Sequence, residues 1–86
     1  MKVILSPLAE KGLRKIHSVD QIIILRKLKS LEAVLEPAGV KKLTGYSLLR
    51  LRVGHYRIVY ERTKIRVYVV AIAHRGKVYS LLKQLL

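Results

Sequence analysis

The chain has no cysteine, which excludes disulfides and thiolate metal ligands and leaves packing alone to hold the fold. Acids are almost as scarce. The five of them, Glu10, Asp20, Glu32, Glu36 and Glu61, are scattered, so neither a carboxylate cluster nor a His/Asp/Glu ligand set is legible, and no metal or cofactor is expected. No apolar run approaches a membrane span, and "MKVILSPLAE" breaks at Ser6 and Pro7 before it can form a signal-peptide core. The expected location is the cytoplasm, with no membrane partner. Repeats, low-complexity tracts and linkers are also missing, so residues 1–86 are expected to form a single domain.

Positive charge is abundant. Eighteen Lys and Arg against five Asp and Glu give a net charge of +13, which repels itself in a compact state and makes a polyanion the first candidate partner. A hydrophobic fraction of 51% sets the chain apart from a disordered basic tail and predicts a packed core.

The pattern predicts an α+β fold. "MKVIL" reads as a strand, Ser6 as a helix cap and Pro7 as the first helical position, with Leu8, Leu13 and Ile16 as an apolar stripe. "SVDQ" has capping-box spacing from Ser18 to Gln21. It precedes an amphipathic helix carrying Ile24, Leu25, Leu28, Leu31 and Leu35, which ends before Pro37 and Gly39. "EPAGVKKLTGYS" reads as a loop, after which the period becomes two: strands are expected over Leu48–Val53, Tyr56–Arg62 and Ile65–Ala73, the last apolar on both faces and therefore interior. The tail "VYSLLKQLL" fits a short helix with Leu81, Leu82, Leu85 and Leu86 on one side. The expected order is an N-terminal strand, a helical hairpin and an antiparallel meander, with the helices packed on one face of the sheet.

Within "LLRLRVGHYRIVYE", Gly54 occupies the first central position of a two-residue turn, as a type II′ hairpin requires. That turn pairs Val53 with Tyr56, Arg52 with Arg57, Leu51 with Ile58 and Arg50 with Val59. Leu49, Leu51, Val53, Tyr56, Ile58 and Tyr60 then face a core, and Arg50, Arg52 and Arg57 share the other face. Like charges opposite each other cost roughly 0.2–1 kcal/mol per pair. Two readings are open: a solvated basic face whose aliphatic stems cover the sheet, or a surface that meets an anion.

With "AHRGKVY" downstream, the series Arg-x-Arg-x-Gly-x-Tyr-Arg-x-x-Tyr followed by His-Arg-x-x-x-Tyr resembles the RelE/ParE toxin superfamily over nearly the whole chain. The resemblance implies a RelE-like toxin of a type II toxin–antitoxin system, a ribosome-dependent endoribonuclease that cleaves mRNA in the decoding site. It implies metal-independent attack of a 2′-hydroxyl on the adjacent phosphate, and as partners a 70S-type ribosome, mRNA and an acidic, helical, RelB-like antitoxin. By the same resemblance Arg57 and Arg75 clamp the scissile phosphate, and Tyr79 stacks on a base or donates a proton. Arg50 and Arg52 stand where some ribonuclease members carry two lysines; as arginines they stabilise charge rather than accept a proton.

His55 and His74 are the candidate general bases, histidine being the residue type suited to that role, whereas His17, at a helix end, is assigned no function. Lys41, Lys42 and Tyr46 join Arg50 and Arg52 as RNA-binding candidates; Lys11, Lys15, Lys27 and Lys29 add long-range attraction without specificity. The apolar tail is a candidate contact for the antitoxin, or a piece of the core. Two alternatives remain: a ParE-like inhibitor of DNA gyrase, and a catalytically inert basic RNA-binding member of the fold.

Overall fold

The computed structural model describes residues 2–33, 40–43 and 47–85. Among them, in chain order, are β1 (Lys2–Leu5), α1 (Pro7–Arg14), α2 (Ser18–Ser30), β2 (Val40–Lys42), β3 (Leu49–Val53), β4 (Tyr56–Arg62), β5 (Arg66–His74) and α3 (Val78–Leu85). The strands form one sheet in the order β1-β5-β4-β3-β2. β1 runs parallel to β5, and the other neighbours are antiparallel. The architecture is α+β, as the change of period predicts. None of the described helices is long and apolar enough to cross a membrane.

Ser6 ties the first helix to the sheet. Its Oγ accepts the Ala9 amide at 3.0 Å and donates to the Val70 carbonyl at 2.7 Å, while Pro7 follows in the first turn. Val70 is the residue left over where the β4–β5 register slips: Val59 pairs with Ala71, but Tyr60 pairs with Val69. A bulge residue is exempt from the ladder on its own strand, and here the Ser6 hydroxyl uses its carbonyl.

The Ser18–Gln21 capping box does not form. His17 caps α2, with Nδ1 accepting the Val19 amide at 3.3 Å, and Ser18 is already helical. The Gln21 side-chain amide instead donates backward to the carbonyls of Leu13 at 2.8 Å and Ile16 at 2.9 Å. The Leu13 carbonyl, in the last turn of α1, also accepts the Ile16 amide at 3.1 Å, so the Gln21 amide adds a second donor there and gives the Ile16 carbonyl, just past the helix, a partner.

Two apolar clusters sandwich the sheet. α1 and α2 cover one face, where Ala9, Ile16, Ile24, Leu28 and Leu31 pack on Leu51, Val53, Ile58, Tyr60, Val67, Val69 and Ile72. Ile24, Leu28 and Leu31 follow helical spacing, but Leu25 lies about 100° round from Ile24 and is exposed. Leu35 lies outside the described residues. On the other face α3 places Val78 and Leu82 on Leu48, Val59 and Ala71, so a third helix covers part of the side that carries the arginines. The stretch read as a loop contains β2, whose Val40 pairs with Leu51 and packs on the first cluster. Three residues are too few for period-two alternation to register in sequence.

α1 lies hard against β5: a Cβ added at Gly12 would collide with the Ile72 carbonyl oxygen, which is backbone and cannot swing away. Gly12→Ala should therefore destabilise by about 1–3 kcal/mol in urea unfolding, against the gain of about 1 kcal/mol expected of the same change in an open helix. Gly76→Ala is the contrasting case. Its nearest neighbour would be the His74 ring at 3.9 Å, and the predicted effect is a stabilisation of about 0.4–1 kcal/mol through the unfolded chain.

Candidate anion-binding site

The hairpin between β3 and β4 sets the site. Gly54 has φ of 58°, and no non-glycine residue among those described has positive φ. His55 therefore does not, which separates this turn from the type I′ alternative and fits type II′. The register follows: Val53 opposite Tyr56, Arg52 opposite Arg57, Leu51 opposite Ile58, Arg50 opposite Val59. Alternation then sends Leu51, Val53 and Ile58 to the helical-hairpin core and the three arginines to the opposite face.

Arg57 is the unusual member, an arginine whose residue surface is only 7% exposed. Its Nη1 donates to the carbonyls of Gly54 and Tyr56, both at 2.9 Å, so the side chain folds back and staples its own turn. Burial pushes its proton affinity below the ordinary guanidinium value. Arg52 and then Arg50 push it further down, Arg75 adds to the same effect, and the Tyr79 phenol opposes it. None of the groups acting on it is a carboxylate. Arg50 is half-buried, and its Nε is enclosed without a hydrogen-bond partner among the described residues. Arg52 is exposed.

A tight turn delivers Arg75. The Lys77 amide donates to the His74 carbonyl at 2.8 Å, the Gly76 amide to His74 Nδ1 at 3.4 Å, and the Arg75 amide to the His55 carbonyl of the hairpin at 2.8 Å. α3 begins at Val78, whose buried side chain seats the helix and leaves Tyr79 in its first turn, 42% exposed. Arg50, Arg52, Arg57, Arg75 and Tyr79 are thus gathered at one end of the sheet, beside α3. Lys41 extends the row to the sheet edge, since β2 pairs it with Arg50; Lys42 pairs with Leu49 and takes the other face. Tyr46 lies outside the described residues.

The histidines stand apart. His74 pairs with Tyr56, one position along from Arg57, and shares Tyr56's face rather than the arginine face. Its ring stacks on His55 at 6.1 Å with planes 20° apart and meets Tyr56 edge-on at 6.0 Å. These rings line a hollow of about 290 Å³ with Asp20, Ile23, Ile24, Val53 and Gly54, across which the Tyr56 hydroxyl donates to Asp20 Oδ2 at 3.4 Å. The structure therefore does not bring either candidate base together with the arginines. Among the described residues, no three His, Asp or Glu side chains are grouped to hold a metal ion.

The sequence reading missed three features of the site: the place of Lys41 on the ladder, the enclosed Arg50 Nε, and the Arg57 staple. The first was hidden by the shortness of β2. The other two are long-side-chain conformations, which periodicity does not encode.

A model of the family described as "ParE toxin of type II toxin-antitoxin system, parDE" matches residues 3–79. No curated protein sequence matches significantly. Among solved structures, the isolated Escherichia coli RelE toxin is similar at 29% identity and TM-score 0.68, covering 99% of this chain and 98% of that one. An arginine double variant of E. coli RelE bound to an antitoxin RelB peptide is similar at 28% identity and TM-score 0.66, covering 94% and 92%. The archaeal RelE–RelB complex of Pyrococcus horikoshii shares the fold at 24% identity and TM-score 0.76, covering 88% and 96%. The chain belongs to this family: it is a toxin of a type II toxin–antitoxin system, of the RelE/ParE superfamily.

Proposed function

We propose that the protein is an endoribonuclease that cleaves mRNA on the ribosome, and that the arginine cluster receives the scissile phosphate. The observation that carries this reading is the buried Arg57, set among three further arginines with no carboxylate acting on it among the described residues. Backbone-directed bonds from a charged donor contribute roughly 1.5–3 kcal/mol each. Desolvating the cation costs several kcal/mol, and like-charge pairing adds to that cost. A phosphate among the arginines adds cation–anion attractions that offset those repulsions.

In this mechanism the 2′-hydroxyl gives up its proton to solvent, its oxygen attacks phosphorus, and the P–O5′ bond breaks to leave a 2′,3′-cyclic phosphate. Arg57 and Arg75 hold the phosphoryl oxygens, Arg50 and Arg52 balance the charge that builds on them, and Tyr79 covers a base or protonates the leaving oxygen. With His55 and His74 on the other face, rate enhancement rests on electrostatic stabilisation rather than on an imidazole base. Lys41 lies where the next phosphate along the strand would pass the sheet edge.

The same charge balance supports an acidic, RelB-like antitoxin as partner. Val78 and Leu82 of the tail are core residues, so the proposed apolar contact moves to α2, where Val19, Ile22, Ile23 and Leu25 are 44–59% exposed. The reading places the protein in the cytoplasm with its ribosomal target. A second reading, inhibition of DNA gyrase, is what resemblance to the ParE branch implies, and the family model that matches carries the ParE name.

Primer extension on mRNA from translating ribosomes separates the two. Discrete cuts are expected with the wild type, reduced on the order of 10²–10³-fold for Arg75→Ala, the loss typical of removing one oxyanion-stabilising donor. Growth arrest with intact mRNA and stalled replication would establish the gyrase reading instead. Arg52→Gln should separate stability from binding. Removing one member of the opposed pair raises folding stability by up to about 1 kcal/mol in urea titration, while the salt dependence of single-stranded RNA binding loses about 0.7 of a unit of slope.

A further inference from the structure

We infer that His55 is a positioning residue for the anion site, resting on the reading above, and that it acts through the hairpin tip rather than by proton transfer. The two guanidiniums that matter most reach the site from different parts of the chain: Arg57 from β4, and Arg75 from the turn after β5. They share one support. The Gly54 carbonyl holds Arg57 Nη1 at 2.9 Å, and the neighbouring His55 carbonyl holds the Arg75 amide at 2.8 Å. Two consecutive carbonyls of a single turn therefore tie the Arg57 side chain and the Arg75 backbone to one support.

The imidazoles lock that junction from the far face. The His55 ring stacks on His74 at 6.1 Å, and His74 belongs to the turn that presents Arg75: its carbonyl accepts the Lys77 amide and its Nδ1 accepts the Gly76 amide. Tyr56, between Gly54 and Arg57 in the tip, meets His74 edge-on and is tied to α2 through Asp20. Each turn is thus held by a ring from one face and a hydrogen bond from the other. An error of an ångström in placing two phosphate-binding groups costs far more than the contact itself is worth, because both must reach one phosphate at once. His55 is exposed and outside both apolar clusters, so replacing it leaves the core intact.

The test compares His55→Ala, which removes the ring, with His55→Phe, which keeps a stacking surface and cannot titrate. Two quantities are read on the purified full chain: amide hydrogen exchange at Arg75, and affinity for a single-stranded RNA oligonucleotide blocked as 2′-O-methyl so that it cannot be cleaved. His55→Ala is expected to speed exchange at Arg75 by about tenfold and to weaken RNA binding by about fivefold. His55→Phe should restore both to within about twofold of wild type. The inference is overturned if RNA affinity is unchanged in His55→Ala while Arg75 loses protection, because the junction then positions nothing that RNA touches. It is equally overturned if His55→Phe is as defective as His55→Ala, which would assign the effect to imidazole chemistry. Failure of the wild type itself to bind the oligonucleotide would sink the anion-site reading, a result distinct from any ratio between variants.

Discussion

A buried arginine with no carboxylate partner among the described residues organises this protein. Arg57 is largely withdrawn from solvent, bonds to backbone carbonyls of its own turn, and is set among Arg52, Arg50 and Arg75. Local choices in a well-folded chain normally agree with one another, and a conflict marks a place where function has overridden stability. Here the conflict is electrostatic, and an anionic ligand relieves it. The same imbalance, spread over the whole chain as a charge of +13, favours encounter with polyanions.

The rest of the fold keeps that arginine in place. Its strand, β4, is the middle one of five, and the face behind it is sealed by the helical hairpin through Ile58 and Tyr60. On its own face α3 is seated by Val78 and Leu82, and this brings Tyr79 to the cluster. Gly12 lets α1 approach β5 closely, and Ser6 fastens the start of α1 to the bulge at Val70. The chemistry thus sits on strands and on the first turn of a helix, with the hairpin tip as the one tight junction between its two halves.

How much of this could be read from residues alone varies with the range of the interaction. The pairing of Arg52 with Arg57 was legible because a two-residue turn with glycine first fixes register, and register fixes faces. The helices were legible from spacing, and so was the Ser6 cap of α1, but the cap of α2 was not: Ser18 and Gln21 have the right spacing for a capping box, yet the Gln21 amide turns back to the carbonyls of Leu13 and Ile16. β2 was lost for want of length, and with it the place of Lys41 beside Arg50. The face of His74 was decidable only once the β4–β5 register was known, since one step along a strand separates it from Ala73, the partner of Arg57. The enclosure of Arg57 was not legible, because a long side chain folding back onto the carbonyls of its own turn leaves no mark in periodicity.

The most direct measurement is thermal unfolding of the purified protein with pyrophosphate at low millimolar concentration, set against sodium chloride of equal ionic strength, for the wild type and Arg57→Gln. Specific occupancy of the cluster predicts a rise in midpoint for the wild type that grows with the logarithm of pyrophosphate concentration, exceeds that in chloride, and largely disappears in the variant. Equal stabilisation by the two salts, or an undiminished rise in Arg57→Gln, would mean that the arginines are merely a screened basic surface and would contradict the account.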